Sequence, residues 1–411
     1  MSDEVKARRP ATASFIFVTM LLDWLVVGIA SPVVPKLIVE FTGRIDSASA
    51  ISGAFATAFA VVQFGAAPVL GILSDRFGRR PIILLSSFGS ALDCLILALA
   101  PNLWWLFLGR LLSGATAASA TASAAYIADV TPPERRGAAF GMLSAAFGLG
   151  FALGPALGGL LAGFGLRVPF YVAAALMLTN VAYGLFILPE SLPPELRQST
   201  IAWKRANPLG SLKLLRRHRD LFGLVSSLFC SNLAVQSFSV FVLYTIYRFG
   251  WSEAANGIGL TVFGTLSVVS AMIVGRLITR FGAQTVTIAG FALGCVGFLI
   301  YGFAPTGIIF ACALPLTGLW AIAGPPVQSA MTRHVSATEQ GELQGAIGSV
   351  RGIAMIAGPA FFTLLFAWVS ELGIYPLVGA PWFCGALLLV GAAVLAQRSM
   401  RSTEPVAEAI A

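Results

Sequence analysis

Charge is what this sequence has least of. Only 11% of its 411 residues are Asp, Glu, Lys or Arg, against roughly 25% in a soluble domain, so a water-soluble globule is excluded. Histidine is nearly absent, at two residues. Neither His218 nor His334 lies mid-span, and no His, Asp or Glu cluster has ligand spacing, which argues against a protein-built metal site. No P-loop pattern is present, so ATP drive within this chain has no support, and nothing suggests a cofactor. The five cysteines, Cys94, Cys230, Cys295, Cys312 and Cys384, sit in apolar stretches without C-x-x-C spacing and read as small packing residues. What is abundant is apolar: 57% of residues are hydrophobic, with 43 Gly and 30 Phe, and that composition excludes disorder as well. Such a chain dissolves in lipid.

A spanning helix needs about 20 mostly apolar residues, and the hydrophobic runs supply twelve: 13–39, 48–73, 81–100, 102–126, 138–163, 168–188, 220–246, 255–278, 284–303, 307–331, 343–369 and 376–396. The runs are continuous rather than alternating, which excludes a β-barrel. The expected fold class is therefore an all-α integral membrane protein of twelve transmembrane helices. Met1 to Pro10 is basic, but the run after it is too long for a signal peptide and lacks an A-x-A site, so the first helix is expected to stay.

Lys and Arg set the orientation. With the N-terminus inside, 20 of the 26 fall in the tails, the even-numbered turns and the central loop. With Lys36 and Arg276, at span ends, counted to the adjoining loops, four fall outside, Lys36, Arg44, Arg167 and Arg248, and only Arg110 and Arg351 lie deep within spans. Both termini are thus expected in the cytoplasm. The net charge of +8 reports this topology, with no nucleic-acid partner required.

At an offset of 204 the chain matches itself. Gly71, Leu73, Arg76, Phe77 and Gly78 fall on Gly275, Leu277, Arg280, Phe281 and Gly282; Gly141, Gly154, Pro155 and Ala156 fall on Gly345, Gly358, Pro359 and Ala360; Gly114 falls on Gly318. The expected organisation is a six-helix bundle over 1–188, a cytoplasmic loop over 189–219 and a second six-helix bundle with its tail over 220–411. Parallel repeats of this kind imply a central cavity and alternating access by rocking. That is transport, not enzyme catalysis.

The turn after span 2 runs Gly71, Asp75, Arg76, Gly78, Arg79, Arg80 and Pro81. Gly71 and Gly78 permit close approach and a tight reversal, Pro81 suits a helix start, and Asp75 offers charge to a helix end or a neighbouring cation. The cluster reads either as a latch or as a positive turn that only sets topology. In the second copy Thr279 replaces Asp75, so a charge latch is lopsided. Span 5 holds Gly148, Gly150, Gly154, Pro155, Gly158 and Gly159, and span 11 keeps Gly348, Gly358 and Pro359. Small residues at these spacings let helices touch, and proline bends them.

Charges within the bilayer are the sharpest signal, each costing about 2.5–3.5 kcal/mol at a helix centre. Four stand out: Asp23, Asp93, Arg110 and Arg351. At about 1.5 Å per residue, Asp93 lies about 16 Å from the inner end of span 3 and Arg110 about 10 Å from the outer end of span 4, at nearly one depth. They can pair, as a static bridge or as part of a proton-carrying site with Asp23 or Asp93 as carrier and Arg110 as partner. Arg351, whose counterpart in the repeat is Phe147, suits an anionic substrate group, a counter-charge to Asp23, or helix carbonyls. Gln63, Gln236, Trp320 and Gln328 occupy plausible cavity positions, though most such side chains simply pack.

These motifs resemble the major facilitator superfamily, and within it the drug/proton antiporters of the tetracycline-efflux type. The turn reads G-x-L-S-D-R-F-G-R-R-P over Gly71 to Pro81; span 1 carries Asp23, Gly28, Pro32, Val33 and Pro35; spans 3 and 4 carry Asp93 and Leu108 to Gly114. Tyr126 to Thr131, Phe147 to Gly150, Gly154, Pro155, Pro325 to Gln328, Arg333 and Gly341 to Gly345 extend the likeness over nearly the whole chain. The resemblance implies a conformational gate of Asp75 with Arg76 and Arg79, an antiporter-type span 5 with Gly154 and Pro155, and transport roles for Asp23, Asp93 and Arg110. Carriers of that type have a His in span 8 and an Asp in span 9, where this chain has Leu266 and Gly294. Arg351 stands where they tend to have a small polar residue, and these changes weigh against recognition of a magnesium–tetracycline cation.

The expected function is proton-coupled efflux of amphipathic drugs, tetracycline first among them, from the bacterial inner membrane by a carrier working as a monomer. An importer or uniporter of a small metabolite is the alternative within transport, and a receptor without turnover is the alternative outside it.

Overall fold

The computed structural model describes residues 13–132, 135–198, 207, 210–217, 221–336 and 339–401. The basic N-terminal tail and Lys204, Arg205, His218 and Arg219 of the connecting loop lie outside the described residues. Among those described, the regular structure is helical throughout, as lipid requires of a chain that must satisfy its own backbone groups.

The first half holds α1 (Ala13–Ala30), α2 (Val34–Thr42), α3 (Ile45–Phe77), α4 (Arg79–Leu99), α5 (Leu103–Thr116), α6 (Ser119–Val130), α7 (Arg136–Ala162) and α8 (Val168–Phe186). After the short α9 (Leu214–Arg217) come α10 (Leu221–Val235), α11 (Phe241–Phe249), α12 (Glu253–Phe281), α13 (Ala283–Phe303), α14 (Gly307–Cys312), α15 (Leu314–Leu319), α16 (Gly324–Thr332), α17 (Gln340–Leu372) and α18 (Ala380–Arg401). Eleven helical stretches among the described residues are long and apolar enough to cross a membrane. The other apolar run, expected at 102–126, is helical but parted between Thr116 and Ser119, and each piece is shorter than a bilayer.

The duplication reaches the backbone. Helices α4 and α13 begin and end at positions 204 apart, and so do the starts of α7 and α17. Gly78 and Gly282, the hinges before α4 and α13, have φ of 108° and 82°, a region open mainly to glycine. The break between α5 and α6 matches the 3₁₀ turn Trp320–Ala323. Likewise the break between α1 and α2 matches the 3₁₀ turn Gln236–Val240.

The helices gather into two compact units, 1–33 with 61–207 and 34–60 with 208–411, so the division passes through α3. In the first unit α1 lies along α7. A Cβ on Gly154 would stand 2.6 Å from Gly28 Cα, and one on Gly28 would stand 2.9 Å from Pro155 Cδ. Here the glycines of span 5 do what small residues do in lipid, letting backbones touch. Gly71 differs from expectation: no atom lies within 4 Å of where its Cβ would be, because the close approach at this turn is made by Gly78 instead. Cys94 is buried in this unit.

The second unit is built round aromatic rings. Tyr301 stacks on Phe310 at 4.1 Å and meets Trp382 at 5.0 Å, and Phe238 lies 5.7 Å from Trp382. Tyr244 Oη donates to the Tyr301 carbonyl at 2.9 Å, and the Tyr301 and Thr317 hydroxyls bond at 2.7 Å. The first part of α3 is sewn to α17 here: Ser49 Oγ donates to the Thr363 carbonyl at 2.9 Å and Thr57 Oγ1 to that of Ile356 at 3.0 Å, with Gly53 against Thr363 between them. Lys36 and Glu253 form an ion pair. Cys312 is exposed rather than packed, on a short helix with one buried residue, Phe310.

Candidate functional site

Three polar assemblies lie in the first unit. The turn before α4 is organised by Arg79. Its Nη1 donates to Asp75 Oδ1 at 2.5 Å and to Ser74 Oγ at 3.2 Å, and its Nε donates to Asp129 Oδ2 at 3.0 Å. Ser191 Oγ donates to the same Asp129 oxygen at 3.1 Å. Glu190 caps the helix from about a hundred residues away: Oε1 accepts the Arg79 N–H at 2.8 Å and Oε2 that of Arg80 at 3.3 Å. A carboxylate there answers both the orphan donors and the positive end of α4. Gly78 is required for this as well as for its φ, since a Cβ would stand 2.7 Å from Glu190 Cδ. Arg80 turns to α8 and donates to the carbonyls of Gly184, at 3.0 Å, and Leu185. Arg76 stays outside the network, over the Phe77 ring at 5.5 Å.

The second assembly is the pair expected from depth. Arg110 Nη2 donates to Asp93 Oδ2, and Asp93 is 3% exposed. Gly109 makes the room, because a Cβ there would lie 2.7 Å from Asp93 Oδ1. Asp93 Oδ1 and Arg110 Nε are buried without a hydrogen-bond partner. A buried pair that leaves an acceptor and a donor unmet is costly, and it has a spare atom on each side with which to exchange partners.

Asp23, part-buried on α1, is held quite differently. Ser119 Oγ donates to its Oδ2 and Asn180 Nδ2 to its Oδ1 at 3.1 Å. Asn180 also reaches Ser87 Oγ at 3.3 Å and the Thr19 carbonyl at 3.4 Å, while its own Oδ1 is buried and unpartnered. No cation among the described residues pairs with Asp23. The break before α6 serves this site, because it places Ser119 at the start of a helix, while the Ala118 N–H turns to the Thr116 carbonyl at 2.8 Å and Ser86 Oγ at 3.2 Å. Ser119, Asn180, Ser87, Asp129 and Glu190 were not legible as site residues: each is a common polar type, and their partners lie 50 to 157 residues away.

The remaining sequence candidates are scattered. Gln63 is half-buried on α3. Gln236 lies against Gly358 and bonds the Asn232 carbonyl at 3.5 Å. Trp320 is 5% exposed, edge-on to Phe298 at 5.5 Å. Gln328 Nε2 donates to Gln344 Oε1 at 3.2 Å, and Arg351 is exposed with no partner among the described residues. Leu266 faces Gly318, and a Cβ on Gly294 would lie 2.8 Å from Trp320 Cγ. An acidic side chain at position 294 has no room.

Apolar helices in duplicated halves, with carboxylates bonded inside them, define a multi-pass membrane transporter of small molecules rather than an enzyme. The family model described as Major Facilitator Superfamily matches residues 16–359 and again 224–410. The chain belongs to that superfamily. It is 35% identical over 372 residues to the class C tetracycline resistance protein of Escherichia coli, covering 90% of this chain and 92% of the relative. With the class B tetracycline resistance protein of Escherichia coli it shares 33% identity, over 92% of this chain and 95% of that one. Among solved structures, an inward-facing bacterial homologue of the human lysosomal transporter Spinster superposes with a TM-score of 0.75 at 14% identity, over 95% of this chain and 96% of that one. That likeness shows the fold. Together they make the chain a multi-pass inner-membrane protein.

Proposed function

We propose that this protein exports amphipathic drug-like molecules, tetracyclines first among them, across the bacterial inner membrane in exchange for protons. It works by alternating access of two six-helix bundles, 1–188 and 220–411, with the loop 189–219 and both termini in the cytoplasm and twelve spans in all, as a monomer in the lipid bilayer. The observation that carries the reading is Asp23: a carboxylate inside the first unit, bonded by Ser119 and Asn180 and opposed by no cation among the described residues. Such a group is tolerated in lipid where it takes up and releases a proton. Asp93 and Arg110 form the companion site, whose spare acceptor and donor allow it to respond when Asp23 changes charge.

The gate is Asp75, Arg79 and Asp129, with Gly71, Arg76, Gly78 and Arg80 shaping the turn, and the seam of Gly150, Gly154 and Pro155 keeps α1 and α7 together as one body. Gln63, Gln236, Trp320, Gln328 and Arg351 are the candidates for substrate contact. Everted membrane vesicles test the whole: an acid interior drives tetracycline inward against its gradient, and collapse of the pH gradient stops it. Uptake that ignores the pH gradient, or no uptake under any gradient, removes the exporter reading.

A further inference from the structure

Helix α17 has two exposed stripes of opposite character. One is apolar, Phe361, Leu364 and Trp368, at 49%, 55% and 60% exposure, as lipid contact demands. The other lies about 140° round the helix and is made by Gln344, Gly348, Arg351 and Met355, spaced four, three and four residues apart and all exposed. Followed along the helix, that second stripe becomes Pro359, Phe362 and Phe366, all buried, the last against the rings of Tyr244 and Tyr247. A stripe that carries a cation and runs into the protein interior at one end is not built as a lipid face.

Within that stripe stands Arg351. Its guanidinium makes no hydrogen bond or ion pair among the described residues. The described acidic residues of its unit, Glu40, Asp46, Glu253, Glu339, Glu342 and Glu371, stand at or near helix ends. A mid-span cation is expensive unless something answers it, and a planar fork of donors is suited to an oxyanion. Two turns away on the same stripe, Gln344, held by Gln328, adds amide groups. The corresponding stripe of α7 carries Phe140, Phe147 and Phe151 instead, with Trp24 edge-on to Phe147 at 4.6 Å. The repeat thus presents one face twice, once aromatic and once cationic.

We infer that the substrate is an amphipathic organic anion, an apolar body bearing a carboxylate or enolate, and that Arg351 binds the anionic group. This rests on the export reading and names its substrate class. The probe is fusidate, a steroid carboxylate, with its uncharged methyl ester and ethidium as controls. Equilibrium binding to the purified full-length protein and proton-driven uptake into everted vesicles are measured in parallel.

Fusidate binds and accumulates, and the ester binds more weakly by roughly 10- to 100-fold, the loss of one charge-assisted contact. Arg351→Gln weakens fusidate to the level of the ester without changing ester binding, and Arg351→Lys recovers part of the difference. Because the side chain is exposed and unpartnered, both variants fold, which size-exclusion elution verifies. Equal binding of fusidate and ester, undiminished fusidate binding in Arg351→Gln, or preference for ethidium overturns the inference. Arg351-dependent fusidate binding without uptake of any probe, tetracycline included, upholds it and removes the export reading instead.

Discussion

The two halves of this protein share a backbone plan and fill it with opposite chemistry. In the first, Asp23, Asp93 and Arg110 stand inside the helices; 204 residues on stand Ser227, Gly297 and Leu314. Ser227 spends its hydroxyl on the Ala392 carbonyl at 2.7 Å, Gly297 fits against Thr317, and Leu314 is buried. The charged turn diverges in the same way. Asp75, Arg79 and Asp129 become Thr279, Ala283 and Arg333, whereas purely structural contacts persist: Arg136 bonds the Ala128 carbonyl and Gln340 that of Thr332. Duplication preserved what holds helices in place and released what carries charge. The first half was thereby left with the buried charges and the charged turn, and the second, among the described residues, with an aromatic core and one mid-span arginine, Arg351.

The largest effect follows from that division. Asp23→Asn brings proton-driven uptake in everted vesicles down to that of vesicles lacking the protein, while tetracycline bound on both sides still exchanges, because counterflow needs no net proton movement. Ser227→Ala, at the matching position, keeps uptake within about twofold, since it forfeits one hydrogen bond of about 1 kcal/mol. Uptake persisting in Asp23→Asn takes the proton role from Asp23. Asn180→Leu distinguishes carrier from surroundings: it leaves Asp23 in place, and the pH dependence of uptake moves while maximal exchange stays.

The pair of Asp93 and Arg110 sharpens the comparison next. Arg110→Ala strands a buried carboxylate and costs about 3–5 kcal/mol, seen as a lower thermal midpoint in detergent. Since the second half solves the same geometry without charge, the transplant Asp93→Gly with Arg110→Leu restores stability to within about 1 kcal/mol of wild type and leaves transport lost. A single mutant as stable as wild type shows that the pair is not needed for the fold; a transplant that still pumps shows that it is not needed for coupling.

How much of this was legible in the sequence depends on range. Span positions, the duplication, the Gly78 hinge and the meeting of Asp93 with Arg110 follow from hydropathy, a constant offset and depth, all of which are regular along the chain. The breaks at Ser31 to Val33 and at Ala117 and Ala118 were not legible, because hydropathy averages over them. Nor were Asn180, Ser119 and Glu190, whose roles exist only once distant helices are side by side. Trp320 also needed the fold: a mid-span aromatic suggests a cavity position, and its packing against Gly294 follows from no local pattern.

The glycine seams give the third contrast. Gly154→Leu drives a side chain into Gly28 and the Leu25 carbonyl, both 2.6 Å from the new Cβ. Overpacking of that kind costs about 1–3 kcal/mol and separates α1, which carries Asp23, from α7. Gly348, the repeat partner of Ser144, has nothing within 4 Å, so Gly348→Ala is tolerated with an unchanged thermal midpoint. Equal sensitivity at the two positions breaks the claim that Gly154 sits at a close helix contact and Gly348 does not.

The smallest expected effect tests whether the gate is a charge latch or only a turn. Glu190→Gln keeps the size and one acceptor oxygen at the start of α4 but removes the negative charge facing its dipole, a loss of about 1 kcal/mol. Asp75→Asn weakens the bond to Arg79 by a comparable amount, leaving Asp129 as the charged partner. If the network holds one conformation closed, each change alters turnover several-fold at unchanged substrate affinity, because the barrier to reopening is lowered relative to a bound state it does not touch. Thr279, at the place of Asp75, lacks a charge and, among the described residues, its hydroxyl bonds the Arg276 carbonyl alone, at 2.9 Å, so Thr279→Ala leaves turnover as it was. Pre-steady-state exchange rates in proteoliposomes read all three. Identical rates in the Glu190 and Asp75 variants reduce the first-half turn to the same topological role as its counterpart.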